Sequence, residues 1–196
     1  PSEVALGASG KMAASLPARF CIAPESIRYS APKCNNYKIG VNMADLAFDS
    51  SLVVLIDEEG LTCADVERRV AGVLTEQGYA KDTFTQAILD REANFPTALD
   101  MSGLNVAIPH CDVANVNKAA FCMAVLKNPV EWHKMDDPED TCEVSVVVML
   151  ALTEAHAHLD MLQKVVGFVQ DQELVKKVIA SETAEQAFEL VAPQFA

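Results

Sequence analysis

The sequence predicts an α/β fold, a mixed sheet covered by helices. Three observations carry that expectation. Strand-like and helix-like patterns alternate from residue 43 onward, the order that builds a sheet with helical faces. Residues 143–152 are apolar almost without interruption, as a strand buried on both faces must be. The chain has 196 residues, of which 51% are hydrophobic and 22% charged, enough for one domain with a core of its own.

The elements follow in order. Residues 51–56 form a short β-branched run. Thr62 with Asp65 three positions later has the spacing of a capping box. Val66, Val70, Val73 and Gln77 then share one helical face, and Gly78 can end the helix. Asp82 can cap a second helix with Phe84, Ile88 and Arg91 at i, i+4 and i+7, and Pro96 forbids its continuation. Residues 106–108 are a brief strand leading into Pro109-His110. Residues 119–127 read as a strand and 130–133 as a short hairpin-like excursion. Residues 136–140 are an acidic loop, and 143–152 the central strand. Thr153 can cap the helix that carries His158. Asp171 and Thr183 can cap two more, the latter with Gln186 at the box position. Neither an internal repeat nor a low-complexity tract occurs.

Residues 1–42 read differently. They hold four of the nine prolines, five basic residues and only two acidic ones. With +3 in this segment and −13 in the whole chain, residues 43–196 carry −16. The expectation is an irregular N-terminal extension over 1–42, with Met43 as a natural start and one domain over 43–196. The acid-poor, Ser/Ala/Arg-bearing stretch 12–31 has something of a transit peptide's composition. An upstream translation extension or an appended tail is the plainer reading.

Composition also excludes. The acidic balance argues against nucleic acid, whose phosphates need a basic surface. It suits brief encounters with basic partners. Six cysteines are scattered without a CxxC pair, so neither a zinc knuckle nor a thioredoxin-type site is signalled, and a reducing cytoplasm is the natural setting. No apolar run reaches membrane-spanning length, so no direct membrane insertion is expected. A Gly-rich phosphate loop is missing, which speaks against nucleotide hydrolysis.

The chemistry concentrates in two stretches: Arg91-Glu92-Ala93-Asn94-Phe95-Pro96-Thr97, and Val106-Ala107-Ile108-Pro109-His110-Cys111-Asp112. A proline fixes the approach to a histidine at the end of a short strand, where α/β sheets place their ligands. A neutral imidazole is a good nucleophile near pH 7, and a guanidinium with a hydroxyl can cradle a phosphoryl group. A histidine that merely bonds a loop carbonyl, an arginine at a helix end and a hydroxyl in a turn are the plainer alternatives for His110, Arg91 and Thr97. Downstream, His156-Ala157-His158-Leu159 opens a helix. His158 shares a face with Leu162, Val165 and Val169, so a core histidine is the alternative there. A zinc set of His110, Cys111, His156 and His158 can be drawn, but it lacks fixed ligand spacing. His133 carries no signal of its own.

Together these motifs closely resemble the EIIA domain of the bacterial phosphoenolpyruvate-dependent sugar phosphotransferase system, in its mannitol/fructose class. Phe95-Pro96-Thr97 and Ile108-Pro109-His110-Cys111 look most like the galactitol branch. The resemblance covers the chain after Met43. It implies a mixed, mostly parallel sheet of about five strands flanked by helices. It also implies a phosphocarrier with His110 as the phosphorylated residue, reacting through Nε2, with Arg91, Thr97 and His158 around it. HPr would be the donor and a cysteine of EIIB the acceptor, with membrane EIIC importing the sugar, and no cofactor would be needed. The resemblance also leaves room for a nitrogen-type regulatory EIIA, which shares the fold and signals by its phosphorylation state.

Overall fold

The computed structural model describes residues 46–154 and 157–195, with side chains left undescribed over 157–160. The expectations about 1–42 and about Met43 lie outside the described residues.

A single mixed sheet organises the domain. Its strands are β1 (Val53–Ile56), β2 (Ala98–Leu99), β3 (Asn105–Ala107), β4 (Ala120–His133) and β5 (Thr141–Ala151), in spatial order β1-β4-β5-β3-β2. β5 stands in the middle, as its apolar run demands. β1 pairs parallel with β4, and β3 parallel with β5; β4–β5 and β2–β3 are antiparallel. The five-stranded mixed sheet is as expected, with its four pairings divided evenly between parallel and antiparallel. The long β4–β5 ladder is joined by the acidic loop and is therefore antiparallel.

β4 also corrects a boundary. Residues 119–127 and 130–133 are not a strand and a separate excursion. They form one strand, with the register to β5 jumping between Val125 and Val130. Pro129 sits in that bulge, where no ladder N–H is required of it. β2, two residues long, has no period that a sequence could display.

Both faces of the sheet are covered. On β4 and β5 alternate side chains go to opposite sides, as the pleat requires. Cys122, Ala124, Val147 and Met149 join Val66, Val70 and Leu74 of α1 (Cys63–Glu76) and Phe84 and Ile88 of α2 (Phe84–Asn94). Met123, Val125, Val146 and Val148 join Val165, Val175 and Val191 on the other side. Those come from α3 (Ala157–Gln170), α4 (Gln172–Ile179) and α5 (Ala184–Phe195).

The helix ends carry their sequence signals. Thr62 Oγ1 accepts from the Asp65 N–H and Asp65 returns the bond to the Thr62 N–H, completing the capping box. Gly78 has φ +79, the left-handed conformation that ends a helix at little cost to glycine. Asp171 accepts from the Leu174 N–H and Thr183 from the Gln186 N–H. Asp82 does not cap α2. Thr83 stands at that position without a side-chain cap bond, its hydroxyl donating instead to Asn115 at 2.7 Å. Burial of Phe84 and Ile88 holds the first turns in its place. Whether Thr153 caps α3 turns on residues outside those described.

One core residue is out of character. Glu67 of α1 is 2% exposed, and its Oε1 has no hydrogen-bond partner among the described residues. Burial, then the nearby Glu92 carboxylate, pushes its pKa from 4.5 up to about 8. The folded protein thus holds a proton that the unfolded chain releases at lower pH. Stability therefore falls as pH rises from about 4.5 to about 8. Glu67→Gln removes this proton linkage. Urea denaturation at pH 5 and pH 8 should show the variant gaining on the wild type at the higher pH. A difference that does not change with pH would contradict this account.

Candidate functional site

The site is built where β3 runs out beside β5. Beyond β3 the chain passes through Ile108 and Pro109, and the Pro109 carbonyl accepts from the Leu150 N–H at 2.9 Å. His110 then bridges to Leu150 in parallel register, continuing the β3–β5 pairing. Because these neighbours are parallel, His110 lies at the carboxyl ends of both. Its backbone is anchored to the buried end of the central strand of the sheet.

The imidazole is oriented from within its own turn. His110 Nδ1 is 2.9 Å from the Ile108 carbonyl oxygen. A carbonyl can only accept, so Nδ1 carries the proton and the lone pair of the neutral ring falls on Nε2. The Ile108 peptide is itself held from behind. Its N–H is shared between the carbonyl of Thr97, at 3.3 Å, and the Thr97 hydroxyl, at 3.2 Å.

Thr97 is 3% exposed. Its hydroxyl donates to the Glu92 carboxylate, 2.9 and 3.0 Å from the two oxygens, and its N–H donates to Glu92 Oε1 at 2.7 Å. Trp132 Nε1–H donates to the same oxygen at 2.7 Å. Burial raises the pKa of Glu92, while the bonds from Trp132 and Thr97 favour its charged form.

Arg91 precedes Glu92 in the last turn of α2. The buried stripe of that helix is Phe84, Ile88 and Glu92, each four residues from the next. Arg91 does not extend this stripe, as the i+7 spacing had implied. It stands beside it, half-buried. Its guanidinium donates to the Phe95 carbonyl at 2.6 Å and lies 4.7 Å above the centre of the Phe95 ring.

Arg91 and His110 line one cavity of about 420 Å³, with Cys111, Asp112 and Asn115 on its wall. The cavity thus joins an imidazole to a cation with a planar fork of donors, a pairing whose chemistry suits an anionic group. Cys111 does not compete as a nucleophile. Burial, reinforced by Asp112, pushes its thiol up to about 11, so it stays protonated at neutral pH.

Thr97 does not line this cavity. It reaches His110 only through Ile108. His158 is the second residue of α3, near the helix terminus that follows β5. Its side chain, and the whole of His156, lie outside the described residues. Among the described residues no three His, Cys, Asp or Glu side chains converge as a metal would require, and no helix is long and apolar enough to cross a membrane.

Sequence reasoning gave no role to Glu92, which falls at the buried position of α2. A glutamate in step with Phe84 and Ile88 was the available signal.

Comparison with known proteins gives the family and the fold. The family described as phosphoenolpyruvate-dependent sugar phosphotransferase system, EIIA 2, matches residues 47–193, and the chain belongs to that family. The galactitol-specific EIIA component of Escherichia coli K12 is 28% identical over 116 residues, 59% of this chain and 77% of that protein. A nitrogen regulatory protein of Bradyrhizobium diazoefficiens is 32% identical over 109 residues, 55% of this chain and 67% of that protein. The crystal structure of mannitol IIA from Escherichia coli superposes with a TM-score of 0.62 at 20% identity, covering 74% of this chain and 99% of that one. The same fold occurs in the complex of mannitol IIA with phosphorylated mannitol IIB, with a TM-score of 0.62 at 19% identity, covering 76% of this chain and 99% of that one. A general role in phosphoryl transfer comes with the family.

The fork of Arg91 sets a testable requirement. Arg91→Ala should slow phosphoryl transfer by about a hundredfold. Arg91→Lys, which keeps the charge but loses the bidentate geometry, should recover only part of the rate. Thermal melting should be unchanged in both. A wild-type rate in the lysine variant would mean that a point charge is enough.

Proposed function

We propose that the protein is a phosphocarrier in which His110 Nε2 takes a phosphoryl group from the phosphohistidine of HPr and hands it to a cysteine of EIIB. The observation that carries this reading is the Nδ1–H bond to the Ile108 carbonyl, beside a cavity shared with Arg91. In the first step a new N–P bond forms at Nε2 as the donor's N–P bond breaks; the donor, already protonated on its other ring nitrogen, leaves as a neutral imidazole, and His110 keeps its Nδ1 proton. In the second, the EIIB thiolate forms an S–P bond as the His110 N–P bond breaks. Neither step asks for acid–base work on the phosphorus itself. The protein supplies alignment and charge stabilisation.

Arg91 offsets the charge of the transferred group. His158, near the start of α3, is assigned to orient the phosphoryl group, and Thr97 to hold the turn that carries His110. The substrate of the system would be galactitol or a related polyol, a reading supported by the likeness to the galactitol-specific component. The sugar itself is met by EIIC and EIIB. The described cysteines are free thiols, which suits a reducing cytoplasm. A regulatory role of the nitrogen type is the second reading, supported by the similarity to the Bradyrhizobium protein. Efficient onward transfer to a sugar-specific EIIB would favour the first.

The test is incubation with phosphoenolpyruvate, Enzyme I and HPr. Wild-type protein should take up one acid-labile phosphate, and His110→Ala none, with its fold intact by circular dichroism. Full incorporation into the alanine variant, with phosphate mapped elsewhere, would overturn the assignment.

A further inference from the structure

Glu92 touches neither the cavity nor His110, yet three hydrogen-bond donors converge on it. Trp132 Nε1–H, the Thr97 N–H and the Thr97 hydroxyl all donate to its carboxylate. From there the connection is continuous. The Thr97 hydroxyl accepts from the Ile108 N–H, and the Ile108 carbonyl accepts from His110 Nδ1–H. A second branch runs through the same turn. The bonds that Thr97 donates to Glu92 pin the residues just after Phe95, whose carbonyl holds the Arg91 guanidinium. One buried carboxylate is thus tied to both His110 and Arg91, two of the residues that line the cavity.

We propose that Glu92 is a positioning residue for phosphoryl transfer, holding the His110 ring in its Nδ1–H tautomer through Thr97 and Ile108 and setting Arg91 in register with it. This rests on the reading of His110 as the phosphoryl acceptor. A carboxylate suits the task because it accepts on both oxygens. The Thr97 hydroxyl must then donate toward Glu92, which leaves its lone pairs for the Ile108 N–H. A glutamine would break that polarity. Its carbonyl oxygen could still serve Trp132 and the Thr97 N–H, but its amide would donate where Oε2 now accepts. The hydroxyl would turn to receive it, and the Ile108 peptide would lose part of its support.

Glu67 provides the control. It is as buried as Glu92 and close enough for their charges to interact, but it is not a member of this chain of bonds.

The experiment compares wild type, Glu92→Gln, Thr97→Val, Thr97→Ser and Glu67→Gln. Nitrogen-15 NMR of the unphosphorylated proteins reads the His110 tautomer. Stopped-flow transfer from phospho-HPr reads the rate at saturation and the half-saturating concentration separately. Glu92→Gln and Thr97→Val should each convert a dominant Nδ1–H tautomer into a mixture. Each should lower the saturated rate roughly tenfold, with little change in half-saturation, because the loss is in alignment and not in docking. Thr97→Ser, which keeps the hydroxyl, should retain the wild-type tautomer and most of the rate, and Glu67→Gln should leave both unchanged. A merely structural Glu92 would lower the melting temperature and leave tautomer and saturated rate at wild-type values, and that result would overturn the proposal. An equal tautomer change in Glu67→Gln would overturn it too, by assigning the effect to any substitution of a buried acid in this part of the core. If Glu92→Gln does not fold, the valine and serine pair at Thr97 decides the same link. The tautomer is read without any phosphoryl donor, so it can fail while His110 is still phosphorylated. Conversely, absence of phosphorylation in the wild type would reject the functional reading alone.

Discussion

The hydrogen bond from His110 Nδ1–H to the Ile108 carbonyl is the constraint around which the site is organised. It spans two residues, but much of the domain is needed to place it. Ile108 and Pro109 lie outside regular β3, so their geometry comes from neighbours. Leu150 of the central strand binds the Pro109 carbonyl on one side, and Thr97 binds the Ile108 N–H on the other. A histidine on a free loop would exchange tautomers and sample many orientations. Here the acceptor is a backbone carbonyl fixed by a sheet, and the ring inherits that rigidity.

The sheet explains why such an anchor is available. β5 is flanked by β4 over a long antiparallel ladder and by β3 in parallel, and apolar clusters cover it on both faces. Its last residues are therefore poorly able to move. The helices divide the work around it. α1 and α2 bury one face, and α2 delivers Arg91 and Glu92 in consecutive positions, one toward the cavity and one toward the interior. Adjacent helical residues diverge by about 100°, which is how a single turn serves both sides. The interior side brings a second acidic residue, Glu67, close to Glu92, at some cost to stability at higher pH.

Much of the fold was legible because its signals are local. The Thr62–Asp65 capping box, Gly78, the Asp171 and Thr183 caps and the unbroken apolar run of β5 each report a nearest-neighbour requirement. The turn Pro109-His110 was legible for the same reason. What was not legible is set by tertiary contact. Pro129 reads as a break, and only pairing with β5 shows that it sits inside one bulged strand. Asp82 has the composition of a cap but not the position, because burial of Phe84 and Ile88 sets where α2 begins. Thr97 was expected near the phosphoryl group, yet its hydroxyl is turned inward to Glu92 and Ile108. Glu92 was given no role in the sequence, because its partner Trp132 lies forty residues away.

The central claim is that the fold chooses which imidazole nitrogen reacts. The most direct measurement is phosphorus-31 and nitrogen-15 NMR of the protein phosphorylated through Enzyme I and HPr, with histidine labelled at its ring nitrogens. The phosphorus should couple to Nε2 of His110, with Nδ1 still protonated and bonded to the Ile108 carbonyl. Phosphorus attached to Nδ1, or to any residue other than His110, would contradict the account.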